Sequence, residues 1–118
     1  MRVALSAIVL TGLMLTACSS ALRFVAEGGP YPRRGTVEQV QVIESEPGRA
    51  YDRVGRIEWD YTDTHFQGPR LRDALPALKQ KAWDVGGDAL VIREASQRGR
   101  QAPDQPLRVR ADVIRWRP

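Results

Sequence analysis

The sequence predicts an α+β domain in which one amphipathic helix packs on a small antiparallel or mixed sheet, in the order β-β-α-β-β. Two observations indicate this class. Four segments carry the apolar alternation or short apolar runs typical of strands, and one segment between the second and third has apolar residues at helical spacing. The helix would cover one face of the sheet in a two-layer sandwich. The opposite face would be rich in arginine and acidic residues.

The first two predicted strands lie in "TVEQVQVI" and "YDRVGRIEWDY", with a Pro-Gly turn between them. The second half of the second strand alternates between apolar and charged residues, whereas Val54 falls on the opposite parity. A β-bulge at Gly55 would reconcile the two phases, because it inserts one extra residue into a strand.

The segment 71–87, "LRDALPALKQKAWDVGG", predicts the helix because its apolar residues recur three or four positions apart. Pro76 is compatible with a helix whose N-cap is Asp73, since amides of the first turn have no intrahelical partner. Gly86 supplies the left-handed residue that commonly ends a helix.

The last two predicted strands are "DALVIREAS", a short apolar and therefore central strand, and "LRVRADVIRWR". In the final strand Arg108, Arg110 and Asp112 alternate with apolar residues. Ile114 and Trp116 then break the alternation. A twist, a bulge or an apolar neighbour is required at that end of the strand.

The first 17 residues have the order of a secretory signal peptide, with Arg2, an uncharged apolar run and then small residues. The run is shorter than the about 20 apolar residues that span a bilayer. Residues 18–35 contain several glycines and prolines and show little periodicity, which predicts a flexible tether. Phe24 and Val25 could instead pack on the domain or lie at the lipid interface. The folded domain would then comprise residues 36–118.

The stretch Leu15-Thr16-Ala17-Cys18 resembles the lipobox of bacterial lipoproteins, and Cys18 is the only cysteine in the chain. The resemblance implies cleavage before Cys18 and attachment of acyl chains, for which the thiol is the required nucleophile. Several acyl chains hold a protein stably in a bilayer. Ser19 and Ser20 stand where an Asp usually retains such proteins in the inner membrane. The resemblance therefore implies an outer-membrane anchor with the domain on the periplasmic face.

Residues 81–92, "KAWDVGGDALVI", are similar to a helix-to-strand signature of small bacterial α+β domains. These include the envelope-stress sensor lipoprotein of the Rcs phosphorelay and the YbjQ-type domains. The resemblance implies a helix-to-strand connection through Gly86 and Gly87, and self-association as in YbjQ-type domains. The chain lacks the cysteines that form the disulfides of the stress sensor.

The formal charge of +4 falls to +3 when Arg2 leaves with the signal. An envelope location argues against nucleic acid as a partner and favours anionic lipid or an envelope protein. Alternatively, the arginines of the last strand belong to a solvated strand face and pair with Asp60, Glu58 and Asp112. The candidate contacts with a partner are Arg108, Arg110 and Trp116.

The stretch "DYTDTH" contains two carboxylates and the only histidine, Asp60, Asp63 and His65, which could ligate a metal or a small molecule. Their spacing matches no established metal signature, and Asp and Thr are common in turns. No nucleophile elbow or phosphate-binding glycine loop occurs. We therefore expect no enzymatic activity and no cofactor.

The function predicted from these observations is a structural or interaction role in the cell envelope, in maintenance, assembly or stress sensing. The alternative is a small periplasmic ligand- or metal-binding domain that uses the Asp60–His65 loop.

Overall fold

The computed structural model describes residues 22–61, 70–97 and 107–118. One helix packs on a five-stranded mixed sheet, which confirms the predicted two-layer α+β fold. The elements are β1 (Arg23–Ala26), a 3₁₀ turn (Val37–Gln39), β2 (Gln41–Ile43), β3 (Tyr51–Tyr61), α1 (Leu71–Asp84), β4 (Ala89–Gln97) and β5 (Leu107–Trp116).

The strands are arranged in the order β1-β3-β5-β4-β2. Every neighbouring pair is antiparallel except β2 and β4, which are parallel. β5 is central and pairs along its length with both β3 and β4, so its apolar residues from Leu107 to Ile114 are almost fully buried. The two edge strands are short, which limits the length of unpaired edge.

β1 lies within the segment predicted to be a flexible tether, so that prediction is wrong for Arg23–Ala26, and the alternative that Phe24 packs on the domain is confirmed. Arg23 pairs with Glu58 of β3. Phe24 packs against the core beneath α1. Gly55 makes room for the ring, because a Cβ there would lie 2.5 Å from Phe24 Cζ. The folded part of the chain therefore includes Leu22 onwards, rather than starting at residue 36.

The predicted bulge in β3 is confirmed, because the register with β5 shifts between Arg53 and Gly55. The extra residue, Val54, turns into the core and is 2% exposed. Beyond the bulge, Ile57 faces the same core, as the alternation predicts.

α1 begins at Leu71, so the predicted N-cap at Asp73 is wrong. Leu71 packs against the core, and this contact favours two additional helical residues. Pro76 is consequently the sixth helical residue and has no amide to donate to the carbonyl of Arg72. Arg72 is exposed, so water can satisfy that carbonyl. The buried face of the helix consists of Ala74, Leu78 and Ala82.

Gly86 ends the helix in a left-handed conformation, with φ of 84°, as predicted. Its amide donates to the carbonyl of Trp83, and the amide of Gly87 donates to that of Ala82. The chain then enters β4 directly, so α1 and β4 run in opposite directions.

Ile114 and Trp116 remain on the same face of β5 as Arg108 and Arg110, without a change of parity. A second, small apolar cluster occupies this end of the face and explains the break in alternation. Its members are Ile43, Tyr51, Ala89, Val91, Ile114 and Trp116.

No helix in the described part of the chain is both long and apolar enough to cross a membrane. The predicted signal segment, the lipobox with Cys18, and residues Asp63 and His65 lie outside the described residues.

Candidate functional site on the open face of the sheet

The sheet face opposite α1 carries arginines from four neighbouring strands, and we call it the arginine face. Its charges arise from the strand alternation that also places apolar side chains beneath the helix. The register interleaves the arginines with acidic residues, since Glu58 lies opposite Arg110 and Asp60 lies opposite Arg108. The arginines are Arg23, Arg53, Arg56, Arg93, Arg108 and Arg110.

The centre of the arginine face is a tightly paired network around Asp112, whose side chain is only 10% exposed. Arg53 Nη2 donates to Asp112 Oδ1 at 3.1 Å, and Arg93 Nε donates to Oδ2 at 2.8 Å. Arg93 also donates to Glu46 at 2.7 Å. A carboxylate this buried needs its cations. We therefore assign Arg53 and Arg93 a structural role.

The hydroxyl of Tyr51 donates to Glu46 at 2.6 Å and extends the network towards the second apolar cluster. This hydrogen bond, followed by the one from Arg93, lowers the pKa of Glu46. The same bond to Glu46 raises the pKa of the Tyr51 phenol. The two carboxylates raise the pKa of Arg93, which stays charged at any physiological pH.

The arginines nearest the Tyr61–Leu107 end of the sheet are held much more weakly. Arg108 lies 3.4 Å from Asp60, and Arg110 lies 3.8 Å from Glu94. Both arginine side chains are more than half exposed, at 52% and 53%. Exposed ion pairs of this length contribute little to stability. These guanidinium groups can therefore exchange their carboxylates for another anion.

Arg23, at the start of β1, completes a group of three arginines at this end. Glu58, its partner in the ladder, pairs instead with Arg56 at 3.3 Å. Among residues 22–61, 70–97 and 107–118, no carboxylate lies within 4.0 Å of the Arg23 guanidinium. The three arginines border an open groove of about 480 Å³, which we call the arginine groove. It is lined by Arg23, Glu58, Trp59, Asp60, Arg108, Val109 and Arg110.

The predicted pairing of the last-strand arginines with acidic neighbours is confirmed for Arg108 and Asp60. It is wrong for Glu58, which pairs with Arg56. It is also wrong for Asp112, which binds Arg53 and Arg93. Sequence alternation places residues on a face but does not choose between partners on that face.

Trp116, the third predicted contact residue, is not part of the arginine groove. It lies six residue steps beyond Arg110, about 20 Å along β5. Its ring meets Tyr51 edge-on at a centroid distance of 6.4 Å, and Arg49 lies 5.1 Å above it. The backbone amide of Trp116 donates to Asp88. The structure therefore divides the predicted contacts between two ends of the domain.

Asp60 is the only one of the three candidate metal ligands that lies within the described residues, and it contacts Arg108. Within the described part of the chain, no group of three His, Cys, Asp or Glu side chains is placed to hold a metal ion.

The arginine groove is suited to binding phosphate-like anions. Guanidinium groups are planar, permanently charged and able to bind two oxygens of a phosphate at once. Arg23 is the one arginine of the groove that the sequence does not predict, because it lies within the predicted tether. Its two apolar neighbours, Phe24 and Val25, are the signal that could have indicated a strand.

A scan against protein-family models, a search of curated proteins and a search of solved structures each found no match to this chain.

Proposed function

We propose that the chain is a bacterial lipoprotein, acylated at Cys18, with a non-enzymatic structural or interaction role in the cell envelope. The observation that carries the proposal is the stretch "LTAC" at the end of an uncharged apolar run with an arginine before it. A free cysteine in an ordinary secreted chain could lie anywhere, whereas a lipobox requires its cysteine directly after the apolar run and two small residues.

The position of the first strand agrees with this proposal. β1 begins at Arg23, five residues after Cys18, so the lipobox precedes the sheet. Ser19 and Ser20 favour the outer membrane as the destination, with the domain on its periplasmic side.

The arginine groove supports an interaction role rather than a catalytic one. Its side chains can bind an anion, but arginine does not act as a general base at physiological pH, because its guanidinium group stays protonated. Anionic lipid or an acidic surface of an envelope protein fits these charges. Self-association of the domain is compatible with the same role.

Metabolic labelling with palmitate tests the proposal directly. We expect the wild-type protein to carry the label and to fractionate with membranes after a high-salt wash. Cys18→Ser should abolish the label, whereas the neighbouring change Ser19→Ala should preserve it. An unlabelled wild-type protein, or a labelled Cys18→Ser variant, would contradict lipidation at Cys18.

Sorting is tested separately by Ser19→Asp. If the serines direct the protein to the outer membrane, this variant should retain the label but move to the inner-membrane fraction. An unchanged distribution would refute the proposed sorting while leaving the anchor intact.

A further inference from the structure

We propose that the arginine groove lies against the phosphate groups of an anionic membrane, so that the domain stands on the bilayer by its Tyr61–Leu107 end. This inference deepens the proposed function and rests on the anchor at Cys18. In place of the long flexible tether predicted from the sequence, it gives the domain a defined orientation on the bilayer.

The short distance between the anchor and the fold carries the first part of the inference. Four residue steps lead from Cys18 to Leu22, and a fully extended chain of that length spans at most about 14 Å. The next residue, Arg23, pairs with Glu58, near the Tyr61 end of β3. The opposite end of β3, at Tyr51, is seven residues or about 23 Å from Glu58. The anchor therefore holds the Tyr61 end nearer the bilayer.

The charges at this end carry the second part. Arg108 and Arg110 have long, exposed ion pairs, and Arg23 has no carboxylate partner among the described residues. Lipid phosphates can therefore bind these guanidinium groups without breaking a buried network. A basic side chain near an anionic bilayer gains attraction within about a Debye length of the surface.

The remainder of the arginine face argues against a domain that lies flat on the membrane. Two acidic side chains there reach solvent, Glu27 at 28% and Glu46 at 62% exposure. They would be brought against anionic headgroups in a flat orientation. An upright orientation keeps them in water.

Aromatic residues at the same end fit a membrane interface. Trp59 and Tyr61 pack together at a centroid distance of 4.8 Å and are only partly buried. Trp and Tyr are favoured where one part of a ring contacts apolar groups and another contacts water.

The two tryptophans of the sheet provide an internal measure of orientation. Trp59 lies opposite Val109, and Trp116 lies seven residues further along β5, about 23 Å away. In an upright domain, Trp59 is close to the headgroups and Trp116 is remote from them. In a flat or freely moving domain the two do not differ in this way.

The first experiment uses the acylated mature protein in vesicles of phosphatidylethanolamine and phosphatidylglycerol that contain headgroup-nitroxide lipid. One variant, Trp83→Phe with Trp116→Phe, retains only Trp59; its match, Trp59→Phe with Trp83→Phe, retains only Trp116. We expect quenching of Trp59 fluorescence to be several-fold stronger than that of Trp116. Equal quenching, or stronger quenching of Trp116, would overturn the orientation.

A second pair of variants avoids substitutions in the core. Because Cys18 is acylated and is the only cysteine, a single new thiol can be labelled selectively. Ser96→Cys places a label opposite Arg108, and Gly48→Cys places one in the exposed turn before β3. The same nitroxide lipid should quench a fluorophore at residue 96 more strongly than one at residue 48, and the reverse order would contradict the proposal.

The charge requirement is tested with matched double variants. Arg108→Gln with Arg110→Gln removes two charges from the arginine groove, whereas Arg49→Gln with Arg117→Gln removes two from the opposite end. With the anchor omitted through Cys18→Ser and the signal removed, the first pair should weaken binding to phosphatidylglycerol vesicles about tenfold at low salt. The second pair should change it little.

Equal effects of the two pairs, or no preference for phosphatidylglycerol over phosphatidylcholine vesicles, would refute the arginine groove as the contact. Failure of the lipid anchor is recognised independently, because palmitate labelling would be absent while these vesicle measurements with the unacylated protein still give an answer.

Discussion

Gly86 connects the helix, the last strand and the segment after β1. Its φ of 84° suits glycine, and a Cβ there would lie 2.5 Å from the carbonyl oxygen of Tyr31. Its own carbonyl accepts a hydrogen bond of 2.9 Å from the buried Arg115, which also donates to Pro32 at 2.8 Å. One glycine therefore allows three parts of the chain to meet.

Gly86→Ala should lower the free energy of unfolding by about 2 kcal/mol or more, because it combines a disfavoured backbone torsion with a steric clash. Gly48→Ala is the matched control, since Gly48 has open space around it and no positive φ. The control should change stability by less than about 0.5 kcal/mol. Urea denaturation followed by tryptophan fluorescence measures both, and equal effects would contradict the role assigned to Gly86.

The Glu46–Tyr51 hydrogen bond should make stability depend on pH at both extremes. The pKa of Glu46 lies below its ordinary 4.5 in the folded state, so its contribution is present above that value and is lost as the pH falls through the folded pKa. The pKa of Tyr51 lies above its ordinary 10.0, so its contribution is present below that value and is lost as the pH rises through the folded pKa.

Glu46→Gln should therefore move the phenol pKa of Tyr51 back towards its ordinary value, because the charged acceptor is removed. Titration of tyrosine absorbance measures the shift, and Tyr51→Phe identifies which part of the titration belongs to this residue. A Tyr51 pKa unchanged by Glu46→Gln would show that the hydrogen bond does not control it.

Among the elements, β1 connects the fold to the proposed anchor. Glu27 and Gly28, which follow it, donate backbone hydrogen bonds to the carbonyl of Val54. Phe24 supplies the main apolar contact, and Lys81 of α1 lies 5.4 Å above its ring. The strand is therefore attached through one side chain and a short ladder.

Phe24→Ala should lower the free energy of unfolding by about 2 to 3 kcal/mol, somewhat less than for a fully buried Phe. It should also speed hydrogen exchange of the β1 amides more than exchange in β5. Val42→Ala in the other edge strand is the control, because Val42 is 36% exposed and should cost under about 1 kcal/mol. Unchanged exchange in β1 would contradict the attachment through Phe24.

The long elements could be predicted from the sequence because their periods repeat. The bulge in β3 could be predicted as well, because Val54 and Ile57 have opposite parity and yet both are apolar residues that face the core. β1 has only a weak signal, the apolar pair Phe24 and Val25, because four residues show no period and their partner in β3 is distant in sequence. The helix start was displaced because the contact of Leu71 with the core depends on tertiary structure.

The candidate site was predictable only in part for the same reason. Alternation placed Arg108 and Arg110 on one face, but the third arginine of the groove comes from β1. The sequence also does not show which arginines have a structural role. The contacts of Asp112 with Arg53 and Arg93 depend on the strand order, which the alternation does not reveal. Trp116 belongs to the opposite end because the sheet separates residues that are close in sequence.

At the scale of the whole molecule, the proposed lipid anchor would hold a small domain close to a membrane. The described residues begin at Leu22, four residue steps after Cys18, so acylation at Cys18 would leave the domain little freedom to move away from the bilayer. Its weakly paired arginines lie at the end nearest this anchor, and its tightly paired network lies further away. Partners that it meets are expected to lie at or near the membrane surface.

The most direct test of this account is the intact mass of the protein purified from membranes of a lipoprotein-processing bacterium. The account predicts a chain that begins at Cys18, lacks residues 1–17 and carries the added mass of a diacylglyceryl group and an acyl chain. An unmodified Cys18, or a chain that still contains residues 1–17, would contradict it.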